Sequence, residues 1–304
     1  MDNLANEIKT AVLEEGFGAV GITDTGFLEE ESLYFSSWLG NGYAAGMDYL
    51  NRNVEKRSNP SLLVPGAKSV VVALFPYNTG ASQKSKYKIS KYAFVPDYHF
   101  IVKDRLRKVL RKFPDLRIDG QQVFCDSAPV LERSLAYKAG LGLYGKNSML
   151  VHKRLGSMFF IGEIFLPVVL DYDSPLKGSP CIGCEKCINA CPTGALSKRH
   201  EGVDARKCLS YLTIECHDDI KSHPSVKRTS TLFGCDICQN VCPWNASLPV
   251  NTGLTVLDFV SWTDEEWETM DENKCRLALK NSSLSRAGYS KLKDCVDFIR
   301  EKAC

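Results

Sequence analysis

The chain has 304 residues, 44% hydrophobic and 24% charged, with a net charge of +2. This composition excludes a disordered or collagen-like chain, and the length suits two domains that each bury a core. The outlying number is 13 cysteines, nine of them between Cys181 and Cys242.

Taken in chain order, Leu4, Ile8 and Val12 recur at helical spacing, and Gly16 follows as a stop. Residues 19–23 (AVGIT) and 69–75 (SVVVALF) read as strands, the second preceded by the turn Pro65-Gly66. A basic helix is expected from Tyr98 to Phe113, ended by Pro114. A short strand over 122–126 follows, with Asp126 at its C-terminal end. Val130 to Lys138 reads as a helix closed by Gly140. Residues 148–152 and 157–166 read as paired strands around Gly156. Strands alternating with helices predict an α/β domain over 1–175. A turn-rich linker (DYDSPLKGSP) leads into a cysteine domain over 176–248, and the signal weakens to a short helical segment over 249–304.

The N-terminus shows no signal-peptide core. The longest apolar stretch, Met158 to Leu170, has 13 residues and contains Glu163, whereas a membrane span needs about 20. A cytoplasmic protein without a membrane partner is expected. Charge is uneven: residues 84–117 carry 11 Lys/Arg against three Asp/Glu. A solvated helix face explains such a run, and an attraction for polyanions is the alternative.

The cysteines carry the firmest chemistry. A disulfide framework belongs to short secreted chains, and local crowding in a chain of this size points to metal. Cys181-x2-Cys184-x2-Cys187-x3-Cys191-Pro192 is the bacterial ferredoxin run, in which three thiolates wrap one cubane and the fourth turns to a second cluster. Cys235-x2-Cys238-x3-Cys242-Pro243 supplies the second set without its first member, and Cys208 fills that place, with Cys216 as its nearest competitor. The spacing assigns Cys181, Cys184, Cys187 and Cys242 to one 4Fe-4S cluster, and Cys191, Cys208, Cys235 and Cys238 to the other. A four-thiolate zinc site is the competing reading, but it leaves Cys187, Cys191, Cys242 and both Cys-Pro steps without a use. Cys125, Cys275, Cys295 and Cys304 lack ligand spacing and read as buried or idle thiols.

Long blocks of the chain resemble the epoxyqueuosine reductases. They are residues 125–151 (CDSAPVLERSLAYKAGLGLYGKNSMLV), 56–71 (KRSNPSLLVPGAKSVV), 91–99 (KYAFVPDYH), 208–215 (CLSYLTIE) and 234–245 (GCDICQNVCPWN). The resemblance implies an α/β corrinoid-binding domain related to the reductive dehalogenases. A ferredoxin-like domain with two 4Fe-4S clusters and a short helical tail, without a helical-repeat extension, would follow it. It also implies cobalamin as cofactor, and as reaction the reduction of epoxyqueuosine to queuosine at the wobble position of a tRNA anticodon. The epoxide oxygen then leaves as water, with electrons from a low-potential donor such as flavodoxin or ferredoxin.

The same resemblance makes Asp126 the proton donor and a cofactor contact. An ordinary aspartate is ionised at pH 7, so it is expected to be desolvated against the corrin and its apolar neighbours. A helix N-cap is the structural alternative for Asp126. Arg57, Tyr98, His99, Lys146, Asn147 and Ser210 are the other implied cobalamin contacts. Asp97-x-His99 is only faintly like an axial-histidine motif, and position 102 is Val rather than Gly, so no axial histidine is expected. The basic helix, with Lys198-Arg199, Arg206-Lys207 and Lys227-Arg228, is the expected grip on tRNA phosphates. Two other functions remain open on sequence. One is a dehalogenase-like reductase of small molecules, and the other is a non-catalytic electron-transfer or corrinoid-reactivating module.

Overall fold

The structure is a computed structural model that describes residues 2–198, 202–223, 226 and 229–301. Arg199, Lys227, Arg228 and Cys304 lie outside the described residues. The strands are β1 (Ala19–Asp24), β2 (Ser69–Pro76), β3 (Lys88–Ile89), β4 (Val123–Phe124), β5 (Leu143–Tyr144), β6 (Leu150–Val151), β7 (Phe159–Leu166) and β8 (Thr231–Phe233). The chain divides into two compact units. The first comprises 1–41, 48–76 and 98–182, and the second 42–47, 77–97 and 183–304.

In the first unit, four strands make a sheet in the order β1-β2-β7-β4, antiparallel at every pairing. All but the last residue of β2 are buried, as an uninterrupted apolar run requires when both faces of a sheet are covered. Cross-strand partners share a face. Gly21, Val72 and Glu163 are in register and form one row, and Val20, Ala73 and Gly162 form the next row, on the opposite face. The helix Glu132–Lys138 closes on the first face. A Cβ on Gly21 would come within 2.2 Å of the Ala139 carbonyl oxygen. The helix Tyr98–Arg111 closes on the other face, where a Cβ on Gly162 would come within 2.6 Å of Val102. That helix buries Val102, Leu106 and Val109 and turns its charges outward, the pattern of an amphipathic surface helix.

Three local expectations are corrected. The strand over 122–126 shortens to Val123–Phe124, and Asp126 lies beyond it in a turn with φ +59°. The helix expected from Val130 begins at Glu132. Residues 148–152 and 157–166 do not pair along their length. β6 pairs with β5, β7 pairs with β2 and β4, and only a His152–Gly156 bridge joins the two stretches. The physical reason is that β7 is apolar on both faces and fits the centre of the sheet, which a two-stranded ribbon would leave exposed.

The second unit is built on one core of Tyr87, Phe94, Leu212, Phe233, Phe259, Trp267, Leu292 and Phe298, among others. Residues 77–97 and the stretch after 249 therefore share a core with the cysteine segment, and the chain's folding units differ from its linear segments. Hydrogen bonds fix this arrangement. The carboxylate of Asp264 accepts from the Ser85 hydroxyl and the Lys86 amide. Asp236, between two of the cysteines, accepts from the Ser90 hydroxyl and from the Lys91 amide at 2.6 Å. Thr263 and Glu266 form a capping box on the helix Asp264–Glu268. No helix among the described residues is long and apolar enough to cross a membrane.

Candidate active site and cluster ligands

Asp126 is held by its neighbours on the helix Tyr98–Arg111. The Tyr98 hydroxyl donates to Asp126 Oδ2 at 2.5 Å, and His99 Nε2 lies 3.1 Å from the same oxygen. Tyr98 is itself fixed by parallel stacking on Phe160 of β7, with ring centroids 4.2 Å apart. A positive φ is uncommon outside glycine, and aspartate is among the residues that tolerate it best. Lys103, one turn further along, donates to Ser127 Oγ at 3.2 Å.

The backbone amide of Asp126 donates to Glu132 Oε1, so a side chain from the first turn of the next helix pins the turn. That helix carries no side-chain cap, and the Asp126 carboxylate points to Tyr98 and His99. The capping alternative is therefore set aside. The protein by itself leaves the Asp126 side chain 49% exposed, so the expected desolvation has to come from the cofactor.

Desolvation by the protein is stronger behind it, where Glu132 is partly buried and Glu163 fully so. Burial, and then the Asp126 charge, push Glu132 up to about 8, although the bond from the Asp126 amide, Arg133 and His99 pull the other way. Glu163, on β7, exposes none of its surface, and neither carboxyl oxygen has a hydrogen-bond partner among the described residues. Burial, then Glu132 and Asp126, raise it well above the usual carboxyl range. Cys125 is buried, and the same carboxyl groups raise its thiol further, which makes it inert as a nucleophile.

Sequence reasoning missed Glu132 and Glu163 as functional residues. The available signal was Glu163 as the single charge inside an otherwise apolar stretch.

The other expected contacts are placed as follows. Arg57 ends the short helix Val54–Ser58, and its guanidinium reaches the Tyr49 carbonyl at 3.5 Å. Its Nε is buried without a partner among the described residues, and Asp126 and Glu132 act on its charge. Asn147 is buried and accepts from the Met149 amide at 3.3 Å, which shapes the loop it stands in. The side chain of Lys146 is exposed, while its backbone amide donates to Cys181 Sγ at 3.5 Å. Ser210 belongs to the second unit, where its amide bonds the sulfur of Cys208.

Within the second unit, Cys191 acts on the ionisation of Cys208, Cys191 and Cys208 act on that of Cys235, and these three together with Cys187 act on that of Cys238. All are free thiols. Burial, and then neighbouring sulfurs, push Cys235 and Cys238 up to about 12. Four crowded sulfurs with no disulfide and no cation among these influences are a donor set suited to a metal cluster that supplies the positive charge. Cys216 stands elsewhere, with Sγ 3.4 Å from His223 Nε2. Cys275 and Cys295 are buried in the core.

Two of the expected phosphate-binding cations are already engaged. Arg206 forks onto the buried Asp204 at 2.8 and 2.9 Å, and Lys198 pairs with Glu185.

An acid cradled beside a partly buried and a fully buried carboxyl group, together with a clustered thiol set, is the equipment that an iron–sulfur oxidoreductase requires. Comparison with known proteins makes this specific. The family described as "4Fe-4S double cluster binding domain" matches residues 180–245, and the one described as "Epoxyqueuosine reductase QueG, DUF1730" matches 57–127. The chain is 39% identical over 304 residues to the epoxyqueuosine reductase of Leadbetterella byssophila, covering 99% of this chain and 100% of that one. It is 38% identical over 301 residues to the enzyme of Cyclobacterium marinum, covering 97% and 96%. The chain belongs to the epoxyqueuosine reductase family. In fold it matches the solved epoxyqueuosine reductase of Streptococcus thermophilus with a TM-score of 0.84 at 23% identity, covering 98% of this chain and 80% of that one. It also matches an epoxyqueuosine reductase solved with an epoxyqueuosine-modified tRNA-Tyr stem loop, at a TM-score of 0.87 and 23% identity, covering 98% and 80%.

Proposed function

We propose that this protein reduces the epoxide of epoxyqueuosine in the anticodon loop of tRNA, in the cytoplasm, and that Asp126 is its proton donor. The observation that carries the reading is the cradle of Asp126 by Tyr98 and His99, on a turn fixed by Glu132. An epoxide oxygen leaves more readily once protonated, and a carboxyl group held at a fixed position by two polar side chains meets that need.

Cobalamin is the cofactor this reading calls for. The fit rests on three features of the first unit: the exposed edge of the Asp126 cradle, the unpartnered buried Nε of Arg57, and the helix Glu29–Gly40. That helix carries Leu33 (68% exposed) and Tyr34 and buries no residue, as expected where a large, partly apolar guest completes the packing. Arg57, Tyr98, His99, Asp126, Lys146 and Asn147, all of the first unit, are the residues proposed to hold it. When bound, the corrinoid supplies low-potential cobalt chemistry that passes electrons to the substrate. Tyr98 and His99 orient the acid, and Asp126 moves the proton to the departing oxygen.

Cys181, Cys184, Cys187 and Cys242 are assigned to one 4Fe-4S cluster, and Cys191, Cys208, Cys235 and Cys238 to the other. A flavodoxin or ferredoxin is the donor that suits them. The test is anaerobic incubation of epoxyqueuosine-containing tRNA with the cluster-loaded protein, cobalamin and a low-potential reductant, followed by nucleoside mass spectrometry. Queuosine is the expected product, and its absence refutes the reading.

A further inference from the structure

Converting an epoxide to an alkene breaks two C–O bonds, forms one C=C bond, and takes up two electrons and two protons as the oxygen leaves as water. The reductant supplies the electrons through the clusters. Asp126 has one proton to give per loading, so each turnover requires it to be reloaded.

The surroundings of Asp126 favour the carboxylate. It is half exposed, the Tyr98 hydroxyl donates to it at 2.5 Å, and His99 stands 3.1 Å away. Donors directed at a carboxylate stabilise its charged form. The acid that holds its proton is the next one inward. Glu132 accepts the Asp126 amide through Oε1 and lies within electrostatic reach of the Asp126 carboxylate. Behind Glu132, the Ile161, Glu163 and Phe165 row of β7 faces the helix Glu132–Lys138 across Val72, Phe124 and Leu135. Glu163 is the only polar side chain in that row, and it is fully buried with both oxygens unpartnered among the described residues. An isolated carboxylate there would carry a desolvation cost of several kcal/mol, so Glu163 is a neutral acid. A cation in its place would draw the proton off Glu132, and a neutral acid does not.

We propose that Glu132, backed by Glu163, is the proton reserve of the site: it passes a proton to the Asp126 carboxylate ahead of each of the two protonations of a turnover and is itself reloaded from solvent after each transfer. The proposal rests on the reading of Asp126 as the acid of epoxide reduction. Neither glutamate reaches the substrate, and both act through Asp126 as positioning residues. The charged and titratable groups around Glu132 are Cys125 and Asp126 from the turn, Arg133 on its own helix, His99 and Lys103 from the helix Tyr98–Arg111, Arg57 from the helix Val54–Ser58, and Glu163 from β7. Arg133 is partly committed elsewhere, since its guanidinium donates to the Ser148 carbonyl.

The test compares Glu132→Gln with the unmodified protein, both loaded with clusters and cobalamin, on an anticodon stem-loop carrying epoxyqueuosine. Glutamine keeps an acceptor for the Asp126 amide and removes the exchangeable proton. The expected result is a kcat lowered about tenfold or more with KM changed less than about twofold, at the low end of a general-acid effect. The unmodified protein is expected to lose rate on the alkaline side of neutrality as Glu132 ionises, and Glu132→Gln should show no such decline. A Glu132→Gln profile that keeps the rate and the alkaline decline overturns the reserve and leaves the reductase reading intact. No turnover by the unmodified protein overturns the reductase reading. Infrared spectra of the unmodified protein give a measure independent of turnover and of the variant's folding. A carboxylic-acid C=O band that titrates on the alkaline side of neutrality is expected, and no such titrating band overturns the reserve.

Discussion

Four thiols crowd together in the second unit and three carboxyl groups in the first, and the two clusters relieve that crowding differently. Burial raises the pKa of Cys208, Cys235 and Cys238, and neighbouring sulfurs raise it further, with no cation among the causes. A metal cluster removes the repulsion by bringing positive charge to the sulfurs. The carboxyl site relieves it with protons. Desolvation lets the partly buried Glu132 and the fully buried Glu163 keep their protons, which leaves one half-exposed carboxyl group, Asp126, between two hydrogen-bond partners. The first solution stores electrons and the second stores protons, and epoxide reduction consumes both.

Removing a member of either cluster tests the contrast, and the largest effect is expected on the thiol side. Cys208→Ala should lower the iron content of anaerobically prepared protein from about eight to about four atoms per chain and abolish turnover. Iron that stays at the unmodified level would remove Cys208 from the ligand set. Asp126→Asn should leave iron content unchanged and slow turnover of the cobalamin-saturated protein by about 10²–10⁴-fold, the usual contribution of a general acid. Single-turnover rates equal to those of the unmodified protein would exclude Asp126 as the acid.

The two clusters were not equally legible in the sequence. The thiol ligands sit in short segments at fixed spacing, because a cubane is small and loops of two or three residues wrap it. Cys181 to Cys191 and Cys235 to Cys242 could therefore be read directly. The carboxyl site is assembled by strand register and helix packing. Glu163 comes within electrostatic range of Asp126 because β7 pairs with β4, so that Glu163 stands opposite Phe124, and no local pattern announces that pairing. The same applies to the sheet. Its strands were visible as apolar runs, but their antiparallel order depends on pairings between distant segments. Asp126 itself was found through resemblance; the strand end expected to place it is a turn with φ +59°.

A smaller effect should appear in the pH dependence of stability. The folded-state pKa of Glu163 is raised above its unfolded value of about 4.3. The native state then binds more protons, so the stabilising contribution is complete below the unfolded pKa and is lost as pH rises through the folded one. The slope is about 1.4 kcal/mol per pH unit over that window. Glu163→Gln, similar in size and without the ionisation, should flatten the fall of the melting temperature as pH rises above the unfolded pKa. Parallel melting curves for the two proteins would mean that Glu163 has a counter-charge.

The smallest effect is expected at the thiol that resembles a ligand by position alone. Cys216 follows Cys208 closely in sequence, yet its sulfur lies 3.4 Å from His223 Nε2, and it is one of the residues of the second unit's core. Cys191 affects the ionisation of both Cys208 and Cys235, and Cys216 is absent from those causes. Replacing it with alanine deletes a small, buried, largely apolar group, so Cys216→Ala should lower the melting temperature by a few degrees, in keeping with a loss of about 1 kcal/mol. Iron content and turnover should be unchanged. If Cys216→Ala loses half of its iron while Cys208→Ala keeps it, the second cluster takes its fourth thiolate from Cys216, and the helix Leu209–Ile214 must then turn its C-terminal end toward the metal.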